Sequence, residues 1–540
     1  MMDNFVRNRF VSVFLAVCVA VVLFSCHQPD VVVDVGSVVY YPEFVHKLEV
    51  NSLGYGVTIL EGLPQNNDIY LARVKNNRTQ YNRHALPADS GEGQEESRSL
   101  AEVVTTETGE TIFRYERHWQ VTPPDEEPQV RNRTRYVAQQ GESRYFFVDV
   151  SPVTKVFTLQ ASKRYCNVWI ANEDFGTEGA TLTVSRAEQI AEKFDLIYPI
   201  ETQLLGYEYG GGLDSAGNLI GHGGMDGDPK IQILLFDIDG DGGNSNSNGI
   251  THGYFYPGDA FTRGGKYPYS NEGEIFYLDS YTASTASTQE SIYSTLIHEF
   301  NHMINFHLKV LVGGDYVSWN TEVWYTEMLS MLAENIIGPL VPISNSVNTR
   351  IPEWIGNYAN LSVMYWPSSG NTLPYYASNY AFGVYLMRNF GGEKLFSDIA
   401  KSNASGRGSI DHFMRIHNNN LGIDTAYAMS RFSEALLYSY SPSNPNILTF
   451  NNPTAAYTIG GKTYKFESIS LGSGPKIFKY EEVSYSTAPI NTVQLYSDKE
   501  GEGGNTVSNW ENEIKETGRL TIKLLAVDPN ADYYIITKPK

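Results

Sequence analysis

The chain is poor in cysteine and in basic residues. Cysteine occurs only at positions 18, 26 and 166, which excludes a disulfide framework, so stability must come from burial of apolar side chains. Cys166 lies in an apolar stretch and is expected to be a buried strand residue and not a nucleophile. Lysine and arginine number 40 against 61 aspartates and glutamates, giving a net charge of −21. This balance argues against a nucleic-acid partner, because no basic stripe is available to neutralise phosphates.

Long apolar runs are also missing, except at the N-terminus. Arg7 and Arg9 precede an apolar run of 14 residues at positions 11–24, shorter than the roughly 20 residues that cross a bilayer as a helix. The sequence Leu-Phe-Ser-Cys that ends at Cys26 is typical of a bacterial lipobox. We therefore expect a lipoprotein signal peptide at 1–25, and acylation of Cys26 that anchors the protein to a membrane surface of the bacterial cell envelope. Ordinary signal-peptidase cleavage and secretion is the alternative.

The sequence contains one HExxH motif, His298-Glu299-Phe300-Asn301-His302, within a stretch of helical periodicity. On a helix, the two histidines project from one face about 6 Å apart, close enough to bind one zinc ion. Glu299 then lies beside the metal, where it can take a proton from a zinc-activated water. The motif therefore predicts a zinc-dependent peptidase in which Glu299 is the general base.

A catalytic zinc ion needs a third protein ligand, and two glutamates compete for that role. Glu322 and Glu327 lie 20 and 25 residues after His302, in a second segment of helical periodicity. They are five residues apart and face different directions, so we expect only one of them to reach the metal. Glu334, further along the same segment, is expected to be a solvated helix charge.

Two segments resemble the alanyl aminopeptidase group. The run Trp324–Ser330 looks like that group's Trp-Leu-Asn-Glu-Gly-Phe-Ala element, which implies that Glu327 is the third zinc ligand. A later run at 376–392 resembles the segment that carries the group's transition-state-stabilising tyrosine, which implies this role for Tyr376. Tyr380, one helical turn later, is the alternative.

The central part of the chain resembles the hyicolysin family of bacterial neutral metallopeptidases. The resemblance covers roughly residues 195 to 440 and rests on segments that occur in the same order as in that family, namely Ile231–Asp241, Gly253–Asp259, Ser294–Phe306 and Trp324–Ser330. It implies a zinc endopeptidase that acts on extracellular protein or peptide substrates.

The patterns of alternation and periodicity predict an α+β fold with four parts. After the signal at 1–25, residues 26–195 alternate in short steps and predict a β-rich N-terminal domain. Residues 196–440 begin with strands, become helical from about position 285, and form the predicted catalytic domain, a two-lobed zincin-type unit with its site in the cleft. Residues 445–540 return to strand patterns and predict a C-terminal β-sandwich.

An aspartate-rich loop predicts a second metal site. Asp237, Asp239 and Asp241 occupy positions 1, 3 and 5 of a calcium-loop pattern with glycine at position 6. Asn248 stands at the twelfth position, where the pattern has a bidentate glutamate. The alternative is a solvated turn after a buried strand.

Two other functions compete with the endopeptidase. An aminopeptidase is favoured by the Trp324–Ser330 segment, but no Gly-Ala-Met-Glu-Asn-like motif for gripping a free amino group precedes His298. A surface-binding lipoprotein, such as an adhesin built on a peptidase scaffold, is favoured by the two β-rich flanks. The intact His298, Glu299 and His302 argue against the scaffold, which has no use for a general base.

Overall fold

The computed structural model describes a large part of the chain, in segments separated by gaps. These segments are 38–40, 45–63, 67–76, 97–105, 111–124, 137–176, 182–242, 250–284, 289–343, 346–367, 372–438, 447–451, 456–472, 474–479, 490–497 and 509–539. The signal peptide and Cys26 lie outside the described residues, so the lipid anchor stays a prediction. Within these segments, no helix has both the length and the apolar character needed to span a bilayer.

The elements are numbered in chain order. The strands are β1 (Val38–Tyr40), β2 (Val45–Leu48), β3 (Gly56–Glu61), β4 (Asn67–Lys75), β5 (Ser97–Thr105), β6 (Thr111–His118), β7 (Ser143–Phe147), β8 (Thr154–Ser162), β9 (Cys166–Ala171), β10 (Ile231–Phe236), β11 (Ile250–Tyr254), β12 (Ile275–Asp279), β13 (Ala456–Ile459), β14 (Lys462–Lys465), β15 (Phe478–Lys479), β16 (Thr492–Ser497), β17 (Arg519–Leu524) and β18 (Asp532–Pro539). The α-helices are α1 (Val184–Leu205), α2 (Ser280–Ser284), α3 (Gln289–Asn305), α4 (Tyr316–Thr321), α5 (Val323–Ile337), α6 (Arg350–Ile355), α7 (Leu373–Phe390), α8 (Gly392–Lys401), α9 (Gly406–His417), α10 (Thr425–Leu437) and α11 (Asn509–Thr517).

The chain divides into two compact units. The smaller takes its described residues from 1–69, 479–486 and 498–540, and the larger from 70–478 and 487–497. In the smaller unit, β3 pairs in parallel with β1 and antiparallel with β17, and β2 pairs antiparallel with β18. Strands from the two ends of the chain are therefore partners. The domain boundaries given by the sequence, including the C-terminal β-sandwich, stay predictions.

The larger unit is built on an eight-stranded sheet. Its order is β5-β6-β11-β12-β10-β9-β8-β7, and β10 runs parallel to both of its neighbours, β9 and β12. All three of these strands are buried along their whole length, which explains why their sequences are almost continuously apolar. Cys166 is one of the buried residues of β9, as predicted.

Helices of the same unit cover the sheet and then form a layer of their own. The Thr183 hydroxyl accepts a hydrogen bond from the backbone N–H of Arg186 and caps α1, which ends at Gly206 with a positive φ of 101°. Helix α1 packs on β8, β9 and α3, and α3 packs on β11, β12 and α5. Helices α5 and α7 pack closely at Gly383. A Cβ atom at this position would lie only 2.5 Å from Cγ of Met328.

The predicted α+β class is confirmed in its general form, since sheet and helix are both extensive. The HExxH segment is helical, as its periodicity predicted, and it follows β12 in the chain. The two-lobed arrangement of the catalytic domain stays a prediction.

Candidate metal centre

The HExxH motif lies in the last two turns of α3, deep inside the larger unit. The side chains from Ile292 to Asn305 are all buried, so α3 is surrounded by protein along most of its length. His298 and His302 share one face, with ring centroids 4.8 Å apart. Glu299 is only 1% exposed. A π-helical turn, Phe306–Val312, follows directly, a feature often found beside functional sites.

Glu327 of α5 completes a group of three potential metal ligands. Its Oε2 atom lies 3.2 Å from Nε2 of His298 and 3.5 Å from Nε2 of His302. Ligand atoms at the corners of a tetrahedron around zinc, with bonds of about 2.0–2.1 Å, are about 3.3 Å apart. Among the described residues, these three side chains form a group of possible metal ligands, with one ligand atom from each lying within 4.8 Å of the others. The spacing therefore fits one zinc ion.

The charge state of Glu327 suits a metal ligand. Burial alone would raise the pKa of this carboxyl, but the charge on His302 and the hydrogen bonds from both histidines hold it below its ordinary value. Glu327 is therefore a carboxylate at neutral pH.

Glu322, the competing glutamate, lies at a different site. Its carboxylate accepts the backbone N–H of Arg407 at the first turn of α9 and packs so closely against Gly406 that a side chain there would overlap it. Gly406 has a positive φ of 67°, which glycine adopts without strain. Of the two glutamates that the sequence left open, only Glu327 lies within reach of the histidines.

The sequence-based prediction for Glu334 is wrong. Instead of being a solvated helix charge, Glu334 is 5% exposed, and its Oε1 lies 2.7 Å from Nδ1 of His298. Ser294 donates a hydrogen bond of 2.5 Å to its other oxygen. Burial would raise the pKa of Glu334, but the hydrogen bond from His298 and the charge on Arg350 lower it, so Glu334 accepts and His298 donates. The reason is the burial of α5 on every side.

The sequence family is decided by one match. A family model for peptidase M30 matches residues 152–461, more than half of the chain, and this range includes α3 and α5. The chain belongs to the peptidase M30 family. The prediction of a hyicolysin-type metallopeptidase, made from four short segments, is thereby confirmed at the family level.

Two individual proteins resemble this M30 member. The neutral metalloprotease ShpI of Staphylococcus hyicus is 28% identical over 269 residues, which cover 48% of this chain and 53% of the relative. The chain therefore spans about half the length of that curated relative. A solved M1 zinc metallopeptidase from Deinococcus radiodurans aligns with 73% of this chain and 65% of its own, at 10% identity and a TM-score of 0.23, too low to support a fold argument.

Two buried tyrosines of α7 were predicted as alternatives for one role. In this M30 member the Tyr376 ring packs edge-on against Trp366, with centroids 4.7 Å apart, and the Arg350 guanidinium lies 5.5 Å from its centroid. The Tyr380 hydroxyl donates to Oδ1 of Asn348 at 2.6 Å and accepts from the Asn335 amide at 2.9 Å. The Tyr380 hydroxyl is thus hydrogen-bonded to two asparagine side chains. The role of Tyr376 stays a prediction.

Sequence reasoning missed His118, the last residue of β6. It is buried, its ring stacks on Trp319 with centroids 5.2 Å apart, and its Nε2 donates to the Trp319 carbonyl at 3.1 Å. Burial is the main reason that the pKa of His118 is lowered to about 4. The negative charge on Glu327 raises this pKa, and the positive charge on His302 lowers it further. A neutral imidazole therefore lies near the M30 metal site. No local motif marks it, since it precedes His298 by a long stretch of chain.

The predicted calcium loop follows β10 in this M30 member. Both carboxylate oxygens of Asp237 lie 3.2 Å from the backbone nitrogen of Gly242, and Asp239 accepts from the Thr251 hydroxyl at 3.1 Å. Asn248, the twelfth position, lies outside the described residues. Calcium at Asp237, Asp239 and Asp241 stays a prediction.

Proposed function

We propose that this M30 member is a zinc-dependent endopeptidase that hydrolyses peptide bonds in extracellular proteins, with its site between two lobes. The observation that carries the proposal is the approach of both Nε2 atoms of His298 and His302 to Oε2 of Glu327, beside Glu299. The family assignment supports a metallopeptidase.

The donor set suits a catalytic zinc ion. Two imidazole nitrogens and one carboxylate oxygen are the ligand types of hydrolytic zinc sites, and three protein ligands leave a fourth position open. When bound there, zinc lowers the pKa of a water and polarises the scissile carbonyl. Nδ1 of His298 donates to Glu334, so a zinc ion at this site would take the place of the proton on Nε2, the atom that faces Glu327.

Glu299 is the proposed general base. It follows His298 directly on α3 and is buried, so its carboxylate is shielded from bulk water. In the proposed mechanism, Glu299 takes one proton from the attacking water as the C–O bond forms. It then gives that proton to the departing amine as the C–N bond breaks, so the base is regenerated.

Tyr376 is the proposed oxyanion donor. Its hydroxyl would donate a hydrogen bond to the negative oxygen of the tetrahedral intermediate. The resemblance of its segment to the aminopeptidase group supports Tyr376 over Tyr380.

The deciding experiment compares the wild type, Glu299→Gln and Glu322→Gln in full-length protein. We expect about one zinc per chain in all three by metal analysis, and casein hydrolysis that is lost by several orders of magnitude only in Glu299→Gln. Cleavage of a casein whose amino terminus is blocked separates an endopeptidase from an aminopeptidase. Equal activity in wild type and Glu299→Gln would overturn the mechanism. A zinc-free, inactive wild type would favour the surface-binding lipoprotein.

We also propose that acylated Cys26 anchors the protein to the membrane surface of the cell envelope. The lipobox-like sequence before Cys26 supports this. Labelled fatty acid should be incorporated by the wild type and not by Cys26→Ser, which should appear in the medium. An unlabelled wild type in the medium would support secretion instead.

A further inference from the structure

Two buried glutamates of the larger unit lie outside the metal centre and lack an obvious role. Glu208 follows α1 and is 2% exposed, and Glu274 precedes β12 and is 6% exposed. Each has one satisfied oxygen, because Glu208 accepts from the Tyr198 hydroxyl at 2.7 Å and Glu274 accepts from the backbone N–H of Met225 at 3.2 Å. The second oxygen of each, Oε2, is buried without any hydrogen-bond partner. Buried acceptors of this kind are costly unless something binds them.

Glycines allow the two carboxylates to approach the same stretch of backbone. Side chains at Gly211 and Gly224 would overlap the carboxylates of Glu208 and Glu274, respectively. A side chain at Gly210 would overlap the backbone nitrogen of Gly224, so the two glycine segments touch. The carboxylates therefore flank one contact between two glycine-rich loops.

In the described segments, neither glutamate forms an ion pair, and burial is the main reason that the pKa of Glu208 is raised to about 7. Burial also raises the pKa of Glu274, and the negative charges on Asp226 and Glu208 raise it further. The negative charge on Glu208 is thus one of the causes that disfavour a charged Glu274.

We propose that Glu208 and Glu274 form a binding site for a divalent cation of the calcium type. Calcium prefers oxygen ligands, takes six to eight of them and accepts bidentate carboxylates. The loop that leads from Gly224 is held nearby, since Oδ1 of Asp226 accepts from the backbone N–H of Asp228 at 2.7 Å. The bound cation would satisfy both orphan oxygens and remove the repulsion.

The site has a structural consequence for the end of the HExxH helix. The backbone carbonyl of Tyr207, next to Glu208, accepts from Nδ1 of His307 at 2.6 Å. The Tyr209 ring packs edge-on against the His307 ring, with centroids 5.9 Å apart. A cation held by Glu208 and Glu274 would therefore fix the loop that contacts the π-helical turn after α3.

Calcium binding tests the proposal without relying on peptidase activity. Full-length protein carrying Glu299→Gln, which prevents self-digestion, is freed of calcium and loaded with one equivalent of zinc. Equilibrium dialysis with radioactive calcium and the unfolding midpoint with and without calcium chloride are then measured. Three further variants are compared in that background: Glu274→Gln, Glu208→Gln and, as the control at the other predicted calcium loop, Asp239→Asn.

We expect calcium to raise the unfolding midpoint of the parent and of Asp239→Asn. In both glutamine variants, the affinity for calcium should fall at least about tenfold, because a charged ligand is lost. Without calcium, their midpoints should equal or exceed that of the parent, since one repelling charge is gone. Three outcomes would each overturn the proposal: a parent that binds no calcium, glutamine variants with undiminished binding, or complete loss of binding in Asp239→Asn. If the parent binds no calcium, the two glutamates are neutralised by protonation alone.

Discussion

Glu334 and Glu327 contact opposite nitrogens of one imidazole ring, that of His298. Oε1 of Glu334 lies 2.7 Å from Nδ1, and Oε2 of Glu327 lies 3.2 Å from Nε2. The two glutamates are seven residues apart on α5, which is two helical turns, so they project from the same face. One helix thus supplies both a proposed metal ligand and the group that orients a second ligand.

Glu334→Ala should weaken zinc binding by about 10–100-fold, because the His298 ring loses the acceptor that fixes its tautomer and orientation. Glu334→Gln keeps an acceptor for the same N–H and should fall between the alanine variant and the wild type. Competition with a chromogenic chelator measures the affinity. An alanine variant that binds zinc as tightly as the wild type would show that the hydrogen bond does not orient the ligand.

Glu327→Gln and Glu322→Gln form a matched pair, one within α5 and one at the residue that precedes it. The first should purify with little zinc, because it removes the carboxylate that faces both histidines. The second should retain one zinc per chain, because Glu322 contacts the first turn of α9 and not the histidines. Metal content distinguishes them, and the opposite pattern of zinc loss would assign the ligand to Glu322.

Tyr376→Phe should lower kcat by about 10²–10³-fold and leave zinc content near that of the wild type, because it removes one oxyanion donor. Tyr380→Phe should instead cost about 1–3 kcal/mol of stability, because it leaves the Asn335 and Asn348 amides without their shared hydroxyl. Steady-state kinetics and chemical denaturation of both variants test this assignment. A loss of kcat confined to Tyr380→Phe would transfer the role to that residue.

Asp259 should make stability depend on pH. It is fully buried, and it accepts hydrogen bonds of 2.6 Å from the Tyr277 hydroxyl and from the backbone N–H of Asn271. Burial raises the pKa of Asp259 to about 7. The folded protein thus holds this proton more tightly than the unfolded chain does, and the stabilisation is lost as pH rises from about 4 through 7.

Asp259→Asn removes this titrating group. The unfolding midpoint of the variant minus that of the wild type should therefore increase from about pH 5 to about pH 7. Thermal unfolding at several pH values measures the difference. A constant difference across this range would mean that Asp259 has an ordinary pKa in the folded protein.

Local sequence patterns were sufficient for α3 and for the family, because the spacing of the histidines and the helical periodicity are properties of neighbouring residues. They were not sufficient for Glu334. Its environment depends on α3 and α7, which both pack on α5. A pattern within α5 does not show which helices pack there. One signal was available: apolar residues such as Met328, Leu329 and Ile336 occupy every face of α5, which leaves no polar face for a solvated glutamate.

His118 and the glutamates of the proposed cation site show the same limit at longer range. His118 lies near the metal centre at the end of β6, and the pairing of β6 with β11 is set by the register of the sheet. Glu208 and Glu274 meet only because two glycine loops pack together. Long-range pairings of this kind involve residues far apart in the chain, so composition and periodicity do not encode them locally.

The division of the metal centre between α3 and α5 makes catalytic competence a property of the assembled helical layer. A nascent chain that has formed α3 alone holds two histidines and a base, but it lacks the third ligand and the orienting carboxylate. Under the proposed function, such a chain is inert toward itself and toward its neighbours. Hydrolytic activity then begins only when α5 has packed on α3.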